Sequence, residues 1–139
     1  MDVEQLSQVI THAIAPAFLL GAIAGFISIL ITRLTPIVDR IRSINEIADD
    51  DAVRIKLNAD LPRLKRRERL LTSATSLSLV SGICTTLLVI VVFASPFFGL
   101  RHEPGAAILF IVSICLLGAS LFRFFQEVRI SLHHLEHHR

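Results

Sequence analysis

The sequence lacks tryptophan and tyrosine altogether and has only two cysteines among its 139 residues. It also has no HExxH motif, no GxSxG motif and no glycine-rich phosphate loop, so it carries none of the sequence signatures of the enzyme classes that use them. Cys84 and Cys115 both fall in apolar segments, where we expect small packing residues rather than redox groups. The sequence therefore predicts a protein that is not an enzyme and needs no cofactor.

Charged residues are missing from three long stretches, at 13–32, 73–95 and 105–122. A helix needs about 20 apolar residues to cross the hydrocarbon core of a bilayer, and each stretch is close to that length. The absence of ionisable groups there argues against a proton relay, an intramembrane metalloprotease and a carboxylate-based transporter. Together with an apolar content of 53%, the stretches predict an all-α integral membrane protein with three transmembrane helices.

The predicted layout is a single membrane domain over residues 1–139. Its parts are an outer amphipathic segment at 1–12, span 1 at 13–34, a cytoplasmic helical hairpin at 35–72 that extends spans 1 and 2, span 2 at 73–95, an outer loop at 96–104, span 3 at 105–123 and a cytoplasmic tail at 124–139. Ten of the fourteen basic residues lie between positions 33 and 72. Because positively charged loops remain inside, we expect the amino terminus outside and the carboxyl terminus in the cytoplasm.

Prolines and acidic residues mark the ends of the hairpin helices. Pro36 removes one backbone hydrogen bond after span 1, which predicts a kink or short break there and makes Thr35 and Pro36 a candidate hinge. The aspartates at 49–51 are expected to form a turn. Asp60 followed by Pro62 is typical of a helix start and predicts the second helix of the hairpin.

Small and hydroxyl-bearing side chains concentrate on one face of span 1 and on one face of span 2. The face residues are Ala17, Gly21, Ala24, Gly25, Ser28 and Thr32 in span 1, and Ser78, Ser81, Gly82 and Thr85 in span 2. Small residues allow helices to approach closely in lipid, so the face of span 1 predicts packing within the chain, a self-association seam or a pore lining. The hydroxyls of span 2 fit hydrogen bonding within the helix bundle or an ion path.

Two polar segments are further candidate sites. The basic cluster before span 2 is expected to bind anionic lipid head groups and not nucleic acid, because it contains no aromatic residue and adjoins the membrane. Its members are Arg63, Lys65, Arg66, Arg67 and Arg69. Near the carboxyl terminus His133, His134, His137 and His138 form two i, i+4 pairs; we expect a solvated tail, with a Zn²⁺ or Ni²⁺ site or pH sensing as the alternative.

Two stretches carry a resemblance to a known family. Residues 14–44 (IAPAFLLGAIAGFISILITRLTPIVDRIRSI) and 122–132 (FRFFQEVRISL) resemble bacterial membrane proteins catalogued as domain of unknown function 2721. The resemblance implies three spans, a charged hairpin between the first two and a bacterial inner-membrane location. It implies no activity and no site residues, and the histidine tail and the aspartate triplet have no counterpart in it.

The small and hydroxyl-bearing faces suggest a homo-oligomeric membrane protein in which the two faces surround an ion-conducting path. Three helices of this length do not enclose a channel alone, so this hypothesis requires several copies. The alternative is a non-conducting scaffold or accessory subunit that docks a partner membrane protein through the small-residue face of span 1.

Overall fold

The computed structural model describes residues 2–46, 58–99 and 103–137, which form three long α-helices. Helix α1 covers Val3–Glu46, α2 covers Leu61–Phe98 and α3 covers Glu103–His137. No strand occurs in these ranges. The predicted all-α class with three helices is confirmed, and α1 and α2 extend well past the uncharged stretches. The turn predicted at 49–51 lies outside the described residues.

All three helices are long and apolar enough to cross a membrane. Their most apolar windows have mean hydropathies of 2.4, 2.5 and 2.4, and at most 28% of any window is buried inside the chain. Large apolar side chains point outward, among them Phe18 at 77% exposure and Ile108 at 63%. Helices that are apolar all round are stable against lipid or a protein core and not against water. The chain is therefore a multi-pass membrane protein.

The ends of the helices follow from local residues. Asp2 accepts a hydrogen bond from the backbone amide of Gln5 at 2.8 Å through its carboxylate, which satisfies one of the unpaired amides in the first turn of α1. Helix α2 begins directly after Asp60, as predicted. It ends at Phe98, and the next residue, Gly99, has a φ of +65°, the left-handed conformation that commonly terminates a helix.

Helix α1 is continuous at two places where the sequence predicted a change. Residues 3–12, predicted as a separate outer segment, form its first turns. The short break predicted at Pro36 is absent, because the helix continues to Glu46. A proline removes only one backbone bond, and the following residue, Ile37, is packed in the core at 4% exposure, which holds the helix in place. The function of Thr35 and Pro36 as a hinge stays a prediction.

Contacts divide the chain into two units, each with a segment of every helix. We call residues 1–27 and 77–119 the apolar unit, and residues 28–76 and 120–139 the charged unit. In the apolar unit a small core of buried side chains joins α1 to α2, and partly buried residues of α3 pack against it. The core residues are Val9, Leu88 and Val92, with Ala106, Leu109 and Phe110 packed against them.

Buried positions recur every seven residues along each helix. The repeats are Val9, Pro16, Ile23, Leu30, Ile37 and Ile44 in α1; Leu64, Leu71, Ser78, Thr85 and Val92 together with Ala74, Ser81, Leu88 and Ser95 in α2; and Ser113, Ser120 and Glu127 in α3. A seven-residue repeat is the spacing of knobs-into-holes packing between helices. Helix α2 carries the two interleaved series, offset by three residues, and so presents the broadest buried stripe.

Candidate helix-docking face and charged cluster

The small-residue face of α1, defined by its six residues from Ala17 to Thr32, lies on the outside of the chain. All six are exposed. A Cβ atom added to Gly21 or Gly25 would meet no heavy atom within 4 Å. Packing among the described residues therefore does not use this face, and its close-approach geometry remains available to a further helix.

An apolar groove of about 410 Å³ lies beside this face in the apolar unit. It runs between α1 and α2, which approach closely at Gly82, where an added Cβ would lie 3.6 Å from Ile23 Cγ2. Ala24 of the small-residue face forms part of its wall. The other lining residues are Leu20, Ile23 and Ile27 of α1 and Leu79, Gly82, Ile83, Thr86 and Leu87 of α2. A flat small-residue strip next to a groove suits the ridge of a further helix.

The hydroxyl face of span 2 lies inside the chain instead. Ser78, Ser81 and Thr85 are completely buried. Ser81 donates its hydroxyl hydrogen to the backbone carbonyl of Ser113 in α3 at 2.7 Å, and Thr85 donates to the carbonyl of Ser81 at 2.8 Å. These hydroxyls thus bond α2 to α3 and to its own backbone. The two faces predicted to line one path therefore differ, since that of α1 is exposed and that of α2 is buried.

A buried carboxylate in the charged unit is the site that sequence reasoning missed. Glu127 of α3 has no exposed surface. Its Oε2 accepts a hydrogen bond from Nε of Arg33 in α1, and its Oε1 accepts from Nε of Arg67 in α2, each at 2.9 Å. Nη2 of Arg67 also lies 2.9 Å from Oε1. One carboxylate therefore ties all three helices together, and we call these three residues the charged cluster.

The aromatic ring of Phe124 completes the surroundings of Arg33. The guanidinium carbon of Arg33 lies 5.4 Å from the ring centroid, within the range of a cation–π contact. The Arg33 side chain is 32% exposed and that of Arg67 is 18% exposed, while Glu127 is fully enclosed. The charged cluster of two guanidiniums and one carboxylate has one net positive charge. Only its arginines have surface outside the cluster.

The position of Glu127 follows from the seven-residue repeat of α3, where it continues the series of Ser113 and Ser120. Residues 124–139 were predicted as a tail, so no partner was sought for this carboxylate. The signal was present in the sequence, because an acidic residue that continues a buried stripe needs a basic partner. Arg33 follows the apolar stretch of α1 directly and was the nearest candidate.

In the basic cluster before span 2, two residues form ion pairs within the chain and three are exposed. Arg63 pairs with Asp60 at 3.2 Å, and Arg67 belongs to the charged cluster. Lys65, Arg66 and Arg69 are exposed. Lipid binding by the five residues stays a prediction, and exposure favours the last three for it.

The histidine tail is described only in part. α3 extends to His137, so its first three histidines continue a helix. His133 is exposed, whereas the side chains of His134 and His137, and all of His138, lie outside the described set. Within the described part of the chain, no group of three or more His, Cys, Asp or Glu side chains is arranged to hold a metal ion.

Comparison with known proteins gives one match. No curated protein and no solved structure matches the chain. A family model described as protein of unknown function DUF2721 matches residues 13–137. The match includes the small-residue face of α1 and all three residues of the charged cluster. The chain thus belongs to the DUF2721 family.

Proposed function

We propose that this chain is a homo-oligomeric protein of the bacterial inner membrane whose copies associate through the small-residue face of α1. The observation that carries the proposal is the exposure of that whole face, including two glycines at which an added Cβ would meet no heavy atom of the described residues within 4 Å. In lipid, helix association depends on close packing because the hydrophobic effect gives no preference for helix over lipid. A second α1 offers the same strip of small residues and so permits backbone contact from both sides.

The proposed orientation has the helical hairpin predicted at 35–72 in the cytoplasm and the amino terminus outside. Basic residues are concentrated in the segment between positions 33 and 72, and short loops rich in lysine and arginine remain inside. The exposed side chains of Lys65, Arg66 and Arg69 would then lie next to the anionic inner leaflet.

Ion conduction along the α1 faces is the second candidate function. Thr32 and Thr35 are exposed and donate their hydroxyl hydrogens to the carbonyls of Ser28 and Ile31, at 2.8 and 3.0 Å. Their oxygen lone pairs are then left to face outward, which suits a cation. Ser78, Ser81 and Thr85 are buried, so they could line a path only if α2 separated from α3. Of the two predicted faces, only that of α1 would therefore line a path between copies. Thr35 and Pro36 remain the proposed hinge for its gating.

The test compares leucine at the two glycines of the small-residue face with leucine at a glycine of another helix. Gly21→Leu with Gly25→Leu fills the small-residue face, whereas Gly118→Leu adds the same side chain on α3, where an added Cβ also meets nothing within 4 Å. Subunits are counted by single-molecule photobleaching in lipid nanodiscs. We expect the double variant to be monomeric and Gly118→Leu to match the parent oligomer.

Three outcomes separate the hypotheses. Equal subunit counts in all variants would overturn association through this face. A monomeric parent chain that crosslinks in native membranes to a protein of different sequence, and loses it with Gly25→Leu, would favour the accessory-subunit alternative. If the oligomers pass no cation flux after reconstitution, the channel hypothesis is excluded and the scaffold hypothesis is favoured.

A further inference from the structure

The sequence offsets from the uncharged stretches predict that the charged cluster lies near the depth of the lipid head groups. Arg33 directly follows the apolar stretch of α1, Glu127 lies five residues beyond that of α3, and Arg67 lies six residues before that of α2. At about 1.5 Å of rise per residue these offsets correspond to roughly 2, 8 and 9 Å from the end of the hydrocarbon core. The interfacial layer of a bilayer is about 5–8 Å deep on each side, so the arginine side chains reach the phosphate level.

Glu127 holds the arginines without using all of their donors. Arg33 bonds to the carboxylate through Nε only, so the N–H groups on its two terminal nitrogens point elsewhere. Arg67 places Nε and Nη2 on the same oxygen, which leaves its Nη1 away from the carboxylate. Glu127 has no exposed surface and accepts from both residues, so it positions two guanidinium planes while neutralising only one of their charges.

We propose that Arg33 and Arg67 form a binding site for the phosphate of an anionic lipid, with Glu127 as the positioning residue. A guanidinium presents planar pairs of N–H donors that match phosphate oxygens, and two preordered guanidiniums bind more specifically than mobile surface charges. The contact with Phe124 further fixes the plane of Arg33. This site is distinct from α1 self-association, since it is formed by charged side chains of three helices within one chain and does not depend on the subunit count.

Binding is measured by native mass spectrometry of the full chain in neutral detergent. The protein is titrated with phosphatidylglycerol, with phosphatidylcholine, and with inorganic phosphate. We expect phosphatidylglycerol to bind more tightly than phosphatidylcholine. Arg33→Gln and Arg67→Gln should each weaken it by about tenfold, the usual range for losing a charged hydrogen-bond partner.

Two matched controls each remove one positive charge outside the cluster. Arg40→Gln and Arg42→Gln each change an exposed residue on the helix of Arg33 that lies outside the predicted lipid-binding cluster. Each should weaken binding by less than about twofold, because an exposed charge contributes little. If these controls lose as much as Arg33→Gln, or if phosphatidylglycerol shows no preference over phosphatidylcholine, the site does not exist.

A conservative variant and a soluble ligand complete the test. Arg33→Lys keeps the charge and removes the planar donors, so we expect it to bind phosphatidylglycerol several-fold more weakly. Its thermal unfolding in phosphatidylcholine should be unchanged. Phosphatidylglycerol binding equal to that of the parent chain would contradict the guanidinium site. Inorganic phosphate that competes fully at the same concentration would assign the site to soluble phosphate and overturn its assignment to lipid.

Discussion

Replacing Glu127 with glutamine removes the negative charge at the centre of the charged cluster while nearly preserving the shape of the side chain. The carboxylate is fully buried and accepts hydrogen bonds from Arg33 and Arg67 at 2.9 Å. In the variant the two guanidiniums lose their shared counter-ion and remain close to each other. An amide also places an NH2 donor where one of the two carboxylate oxygens stood, so one of the arginines meets a donor instead of an acceptor.

The magnitude follows from the burial of the three side chains. Removing one partner of a buried ion pair costs about 3–5 kcal/mol, because the remaining charges are left uncompensated. The arginines are 32% and 18% exposed, so water relieves part of that cost. We therefore expect a loss near the lower limit, about 3 kcal/mol. Arg67→Gln leaves the pair between Arg33 and Glu127 intact, so it should lower the free energy of unfolding by about 1–2 kcal/mol. Arg33→Gln should lower it by about 1 kcal/mol or less, because the Arg33 side chain is more exposed.

The assay is reversible unfolding in mixed micelles of dodecyl maltoside and sodium dodecyl sulfate, followed by far-ultraviolet circular dichroism. Glu46→Gln is the matched control, because it makes the same chemical change at an exposed position near the end of α1. It should alter the free energy of unfolding by less than about 0.5 kcal/mol. A loss for Glu127→Gln no larger than that of Glu46→Gln would refute the conclusion that one carboxylate holds the three helices together.

Other predictions concern the packing of the helices. Leu30→Ala should lower the free energy of unfolding by about 2–5 kcal/mol in the same assay, because Leu30 is completely buried. Ile31→Ala should lower it by less than about 1 kcal/mol, because Ile31 is 49% exposed. Similar losses for both variants would contradict the seven-residue repeat. Ser81→Ala should lower the free energy of unfolding by about 0.6 kcal/mol, because it removes the 2.7 Å hydrogen bond to the carbonyl of Ser113. Thr86→Val should not change the free energy of unfolding measurably, because Thr86 is exposed and its hydroxyl bonds within α2. A larger loss for Thr86→Val would show that an exposed hydroxyl has a partner outside the chain.

The number of helices and the start of α2 could be read from the sequence because they depend on local properties, whereas α3 continues to His137 through residues predicted as a tail. Runs without charge and of bilayer length define the spans, and Asp60 with Pro62 marks the start of α2. Pro36 predicted a kink or short break; α1 has no break there, since Ile37 beside it is packed in the core, and the kink stays a prediction. The contacts of the neighbouring side chains decided the outcome there.

The buried faces were harder to predict because each helix is apolar on all sides. In a soluble helix, polar residues reveal which face is outside, but a lipid-facing helix gives no such contrast. The seven-residue repeat in α1 consists of apolar residues among other apolar residues. In α2 and α3 the same repeat includes Ser78, whose polarity suggested an ion path, and Glu127, which was predicted to lie in a tail.

The most direct test of association through α1 is disulfide crosslinking in native membranes. Cys84 and Cys115 are first replaced by serine or alanine, and a single cysteine is introduced either at Ser28, on the small-residue face, or at Ile29, which is 51% exposed and about 100° further around the helix. Our account predicts that mild oxidation joins two copies of the Ser28→Cys protein and leaves Ile29→Cys monomeric. Equal crosslinking at both positions, or none at Ser28→Cys, would contradict it.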